Sequence, residues 1–223
     1  MLSTGVSCLK RQTMSIIDEF LRSRRSIRKY KAISPPDALI EQALQPAVFA
    51  PSSGNSQPVR FIRINSPDIK SRLQAALEEG RQGFLEQAGK SDKPNKLRNW
   101  INAYYRFSTF MFDVPLLLAV GTIAVLPGLS RALSEAGVMI PEKRWKTDAD
   151  IAVGLALQGI MLRAQELGLG SCVLTAPLAF IARAEEIIGV TDLEIKCFLT
   201  LGFPDESPKC PPKKDLTQLY REL

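Results

Sequence analysis

Two short polar blocks carry the residue types best able to do chemistry. The first, Arg24-Arg25-Ser26-Ile27-Arg28, packs three cations and a hydroxyl into one stretch. The second, Ala50-Pro51-Ser52-Ser53-Gly54-Asn55-Ser56-Gln57-Pro58, sets small polar side chains between two prolines. Guanidinium forks supply fixed positive charge, and small residues allow close backbone approach with short donors. A phosphate-bearing ligand needs both kinds of surface. Taken singly, each block has a plainer reading. Cations after a helix also suit its C-terminal dipole, and Pro51–Pro58 alone is an ordinary polar turn.

What is missing narrows the chemistry. The chain has no histidine, which excludes Ser-His-Asp and Cys-His nucleophile systems and any His base or metal ligand. Gly168-Leu169-Gly170 lacks the third glycine of a dinucleotide-binding turn and follows a helical pattern rather than a strand. There is no phosphate-loop lysine signature either. Cys8, Cys172, Cys197 and Cys210 lack metal-ligand spacing, so no metal site is expected. They read as reduced thiols of a cytoplasmic protein, with Cys172 a small buried hydrophobe. No catalytic side chain is assigned from these residues: any chemistry must use carboxylates, Lys, Tyr, Cys, backbone dipoles or a borrowed cofactor.

The 223 residues are 45% hydrophobic and 23% charged, an ordinary globular balance that allows a sizeable core. A net charge of +6 suits a polyanion-binding surface or a phosphorylated cofactor. No basic run is interleaved with aromatics, so nucleic acid is not expected as a partner. No apolar stretch is long enough for a membrane span. Residues 1–13 read as a disordered leader or an upstream start ahead of Met14, and 14–223 as a single domain.

The blocks need elements to position them. Ile16, Ile17, Phe20 and Leu21 predict a helix over 15–23, placing the arginines at its end. Ser34-Pro35-Pro36-Asp37 reads as a helix start, with Ser34 as N-cap, for a helix reaching Phe49 and bent at Pro46. Residues 61–64, 114–120, 171–174 and 194–201 read as strands; 68–88, 95–110 and 178–187 as helices. Thr147-Asp148-Ala149-Asp150 resembles a capping box opening a helix over 148–167, apolar on nearly every face and so buried on all sides. Residues 126–146 are mixed and read as an excursion. Tyr104, Tyr105, Phe107, Phe110 and Phe112 read as core aromatics, with a substrate-pocket lining as the alternative. The whole is one α+β domain.

The two blocks, in this order, resemble the FMN-dependent nitroreductase family. So do Asp150-Ile151-Ala152 through Leu167-Gly168-Leu169-Gly170-Ser171, and Leu199-Thr200-Leu201-Gly202-Phe203-Pro204 through Pro212-Lys213-Lys214-Asp215-Leu216. The resemblance spans most of residues 15–220. It implies a nitroreductase-like fold: a central, mostly antiparallel sheet flanked by helices, with a C-terminal tail extending onto a partner subunit. It implies a homodimer with two FMN sites at the interface. Arg24, Arg25, Ser26 and Arg28 would meet the phosphate, ribityl chain or ring edge. Pro51, Ser52, Ser53, Asn55 and Gln57 would reach the flavin from the partner. Leu174 and Thr175 would lie against the ring, and Lys213 or Lys214 near the phosphate. Val59 stands where many members carry Trp, and residues 126–146 do not align; both bear on substrate choice. The implied activity is ping-pong hydride transfer from NADH or NADPH to an electron-poor acceptor such as a nitroaromatic or quinone. FMN-dependent dehydrogenation or reductive dehalogenation of a specific metabolite is the alternative within the fold. A non-catalytic polyanion-binding protein is the alternative outside it.

Overall fold

The computed structural model describes residues 15–222 except 127 and 140; the expected leader lies outside the described residues. Four strands form the core sheet: β1 (Val59–Arg63), β2 (Leu116–Ile123), β3 (Gly170–Leu174) and β4 (Leu193–Gly202). Their order is β1-β2-β4-β3, and every pairing is antiparallel. The helices are α1 (Ile16–Ser23), α2 (Asp37–Leu44), α3 (Pro67–Gly89), α4 (Pro94–Thr109), α5 (Gly128–Glu135), α6 (Glu142–Glu166), α7 (Pro177–Phe180) and α8 (Ala184–Ile188).

The continuous apolar run at β2 is explained by a sheet buried on both faces. Alternate residues point opposite ways. Leu117 and Ala119 join Phe198 of β4 and Leu73 and Leu77 of α3 in one core, which α7 and α8 complete. Leu116, Leu118 and Val120 join Leu199 and Leu201 in a second, under Ile40 and Ala43 of α2 and Val153, Leu157 and Ile160 of α6. Three layers result, with the sheet in the middle. A β-bulge interrupts β2 and β4 between Val120 and Gly121. Lys196 sits in this bulge, and its ammonium lies 2.9 Å from Asp150 and 2.8 Å from Glu194. Burial opposes its charge, but the two carboxylates prevail and hold its pKa above the ordinary lysine value. The pair pins the first half of α6 to the sheet.

Several expectations are corrected. α6 begins at Glu142, six residues before the expected start, so Asp148–Asp150 lie inside it. The Thr147 hydroxyl donates to Lys143 O within the helix (2.8 Å) instead of capping it. Nor is α6 buried all round: Ile151 is 56% and Leu155 44% exposed. Pro36, not Ser34, occupies the N-cap of α2 and gives no side-chain cap. Pro46 ends that helix in a 3₁₀ turn, Gln45–Phe49, as a proline should. The helix expected over 178–187 is two short pieces, α7 and α8. Gly80 makes the contact that seats α7: a Cβ there would lie 2.0 Å from Phe180 O. The excursion at 126–146 contains α5 and the start of α6.

Candidate active site

α1 delivers the cation block. Ser15 and Asp18 close a capping box at its start. At its end the Arg24 N–H donates to Phe20 O (2.9 Å). The Arg25 guanidinium donates to Arg22 O (2.7 Å) and Arg24 O (2.6 Å), satisfying carbonyls the last turn leaves open. The plainer reading of the block is therefore true of Arg25. The chain then runs extended beside the free edge of β3. Ser26 forms a parallel bridge with Ser171, and Ile27 N donates to Ser171 O (3.0 Å).

Two glycines make this approach feasible. A Cβ at Gly170 would lie 2.8 Å from the Ile27 side chain, and one at Gly202 would lie 2.9 Å from the Tyr30 ring. Behind the strip, the Tyr30 hydroxyl donates to Ile27 O (2.7 Å) and shares a 2.7 Å hydrogen bond with the Thr200 hydroxyl. Burial pushes the Tyr30 phenol far above its ordinary pKa and raises the Cys172 thiol as well. Both are protonated at neutral pH and serve as scaffold.

A cleft of about 230 Å³ opens along this strip. Arg24, Arg25 and Ile27 line one side, Met161 and Gln165 of α6 another, and Gly168–Ser171 the floor. Gln165 donates to the Ser23 hydroxyl (2.6 Å), joining α6 to the end of α1. Pro204, Glu206, Ser207 and Pro208 close the far side. Gln165 and Glu206 were not anticipated from sequence, where each is one polar residue in a run without a motif. Arg28 is exposed, with its guanidinium 5.6 Å from the centre of the Phe107 ring. Among the described residues, neither Arg24 nor Arg28 forms an ion pair with a carboxylate. Free guanidinium charge beside a glycine-floored cleft fits the phosphate dianion of FMN. Complete ligand pockets run to about 300–1,000 Å³, so the cleft has room for only part of such a ligand.

The second block lies elsewhere. Its 3₁₀ turn, Ser53–Asn55, contains left-handed backbone at Gly54 (φ 56°) and Asn55 (φ 52°), followed by Gln57 (φ 41°). The Ser52 hydroxyl accepts from Gln57 N (2.9 Å), and the Gln57 side chain donates to Val48 O (3.2 Å). Pro51, Ser52 and Ser53 face Ile151, Ala152 and Leu155 of α6 across a hollow of about 210 Å³. A larger groove of about 510 Å³ separates the loop and β1 from α2. The loop meets α6 near its middle, at Ala152, and the arginine strip meets its C-terminal end, at Gln165, about 20 Å apart at 1.5 Å per residue. Within one chain, α6 holds the two blocks apart.

The remaining candidates are dispersed. Leu174 is buried in the core, so only its backbone can face a ligand, whereas Thr175 is exposed just beyond β3. Lys213 and Lys214 are exposed on the tail, ahead of a 3₁₀ turn, Leu216–Gln218, capped by Asp215. The aromatic group divides. Tyr105, Phe110 and Phe112 pack on the core. Phe107 (56% exposed) and Tyr104 (48%) face outward with Trp100, whose ring centre is 5.9 Å from that of Tyr104.

Comparison with known proteins finds relatives over nearly the whole chain. A candidate NAD(P)H nitroreductase of Bacillus subtilis, YfhC, is 24% identical over 210 residues, covering 94% of this chain and 95% of its own. Iodotyrosine deiodinase of Thermotoga neapolitana is 27% identical over 211 residues, covering 93% and 98%. Among solved structures, a BluB-like flavoprotein from Clostridium difficile superposes with a TM-score of 0.80 at 23% identity, covering 94% of this chain and 99% of that one. The fold also matches an iodotyrosine deiodinase bound to FMN and 3-iodo-L-tyrosine, with a TM-score of 0.65 at 23% identity and coverage of 90% and 96%. The Nitroreductase family model matches residues 21–203, from the end of α1 through the cleft and the sheet to Phe203. With both its polar blocks inside that span, the chain belongs to the nitroreductase family and is an FMN-dependent oxidoreductase.

Proposed function

We propose that the chain works in the cytoplasm as a homodimer with two FMN sites, each shared between subunits. The observation that carries this is the separation of the two polar blocks along α6: the loop lies at its middle, by Ile151–Leu155, and the arginine strip at its C-terminal end, by Gln165. One chain supplies Arg24, Arg25, Ser26 and Arg28, and the second copy supplies Pro51, Ser52, Ser53, Asn55 and Gln57. Exposed Ile151 and Leu155 on α6, with Val48 and Phe49 beside the loop, offer the apolar strip that a second copy would cover. The tail fits the same arrangement. Leu216, Leu219 and Tyr220 are exposed, and β1 leaves an open sheet edge beside the large groove. A tail crossing onto the partner would carry Lys213 or Lys214 toward a phosphate.

When bound, FMN supplies the chemistry, taking a hydride from NADH or NADPH and passing it to an electron-poor acceptor in a ping-pong cycle. The residues of the chain bind, orient and tune. Arg24 holds the phosphate. Arg28 places a cation at the ring edge, where it favours the negative charge that develops on reduction. Thr175 and the Leu174 backbone bound the ring from the end of β3. None of these side chains needs to move a proton, which agrees with a chain devoid of histidine.

The purified protein should be yellow, and its flavin absorbance should bleach anaerobically with NADH or NADPH. It should return on adding a nitroaromatic or a quinone. A colourless protein that FMN cannot reconstitute would overturn the proposal. Reductive dehalogenation is the second reading, favoured by the relative named iodotyrosine deiodinase that matches nearly the whole chain. Iodide released from 3-iodotyrosine by the reduced protein, with no turnover of nitroaromatics or quinones, would decide for it.

A further inference from the structure

The segment leaving β4 folds back onto the cation block. Lys31 N donates to Phe203 O and Asp205 N to Lys29 O, both at 2.9 Å, while Tyr30 and Pro204 form an antiparallel bridge. One side chain completes this clip. Glu206 Oε1 accepts from Arg28 N (2.5 Å) and from Lys29 N (3.1 Å). Glu206 also lines the cleft with Arg24 and Arg25. A carboxylate here is unexpected, because it repels the dianion that the arginines attract. Its contacts explain its presence: both N–H groups it accepts belong to the block itself.

Between the Ile27–Ser171 bond and the Lys29–Asp205 bond, Glu206 is the acceptor for the Arg28 and Lys29 N–H groups, so without it both would turn to water and the backbone at Arg28 would loosen. Arg28 would then lose its fixed departure from the chain. A charge-assisted acceptor bridging consecutive N–H groups is a strong local constraint. We propose that Glu206 is a positioning residue: it clamps the Arg28–Lys29 backbone so that the Arg28 guanidinium is presented to the cofactor. This deepens the flavin reading of the cleft and rests on it. The clamp depends on reach and on an accepting oxygen. Glutamine retains both, aspartate is one methylene too short, and alanine has neither.

The test has two arms. In flavin-free protein, amide hydrogen exchange at Arg28 and Lys29 should be slow in wild type and E206Q, and at least about tenfold faster in E206A and E206D. By titration of FMN fluorescence, E206A and E206D should bind about 10–100-fold more weakly than wild type, and E206Q within about threefold. Unchanged FMN affinity in E206A would overturn the inference, as would an E206Q as weak as E206A with its thermal unfolding unaltered. Exchange at Arg28 and Lys29 that ignores all three substitutions would overturn the clamp itself. A wild type that binds no FMN would instead remove the flavin reading, a failure the exchange arm distinguishes.

Discussion

At the scale of single residues, the three arginines have separate duties that their spacing does not reveal. Arg25 closes the end of α1, Arg24 faces the cleft, and Arg28 stands free beside Phe107. Arg24→Ala and Arg28→Ala should each weaken FMN binding about 10–100-fold, the worth of a charged hydrogen bond, measured by fluorescence titration. Arg25→Ala should lower thermal stability more than FMN affinity. Asn55 is held at a φ that disfavours a side chain. Asn55→Gly should therefore raise stability by about 0.5–1 kcal/mol while weakening FMN retention, whereas Asn55→Ala should lower both. Thermal melts beside FMN titrations separate the two effects. Buried Cys197 has its thiol pushed up to about 12 by desolvation. In the unfolded chain that thiol ionises first, so the folded state holds the extra proton. Its contribution is whole below about pH 9 and declines above it by about 1.4 kcal/mol per pH unit until about pH 12. Urea unfolding from pH 8 to 11 should show a decline to which buried Cys172 and Tyr30 also contribute, and Cys197→Ala should make it shallower by about 1.4 kcal/mol per pH unit. The residue types were legible because charge and smallness are visible in one dimension; their duties were not, because each depends on which carbonyl or ring lies nearby.

Among the elements, β2 is the clearest success of pattern. A run from Val114 to Val120 without a polar break can be covered on both faces only as a central strand, and it is. α6 shows the opposite. Its apolar residues predict burial all round, yet Ile151 and Leu155 face outward, because apolar side chains on every face of a helix do not supply a neighbour for every face. Its start was also misplaced, since Thr147 can bond back to Lys143 as readily as it can cap. Close approach of elements was equally hidden. Gly80 lets α3 touch the backbone of α7, and Gly80→Ala puts a methyl 2.0 Å from a carbonyl that cannot rotate away. We expect a loss of about 3 kcal/mol or more, read as a fall in melting temperature of about 2–4 °C per kcal/mol.

For the whole molecule, the distance along α6 sets the outcome. If the proposed shared site is right, half-sites about 20 Å apart along α6 require that dimerisation and cofactor retention fail together. Leu155→Arg, on the exposed strip, should give a folded monomer by light scattering, with native circular dichroism and FMN affinity reduced at least tenfold. A flavin-loaded monomer would contradict the shared site. Mixed dimers of Arg28→Ala and Asn55→Ala chains should keep one of two sites, measured as half the wild-type flavin content. The sequence by itself determined the ligand class, the absence of histidine chemistry, the buried strands and the family, because these follow from residue type, periodicity and order. Only the tertiary structure decided that the arginines lie along the edge of β3, that the serine-rich loop sits about 20 Å away along α6, and that Glu206 reaches back to the Arg28 and Lys29 amides. Those facts depend on contacts between residues far apart in the chain, such as Glu206 with Arg28, and no local pattern encodes them.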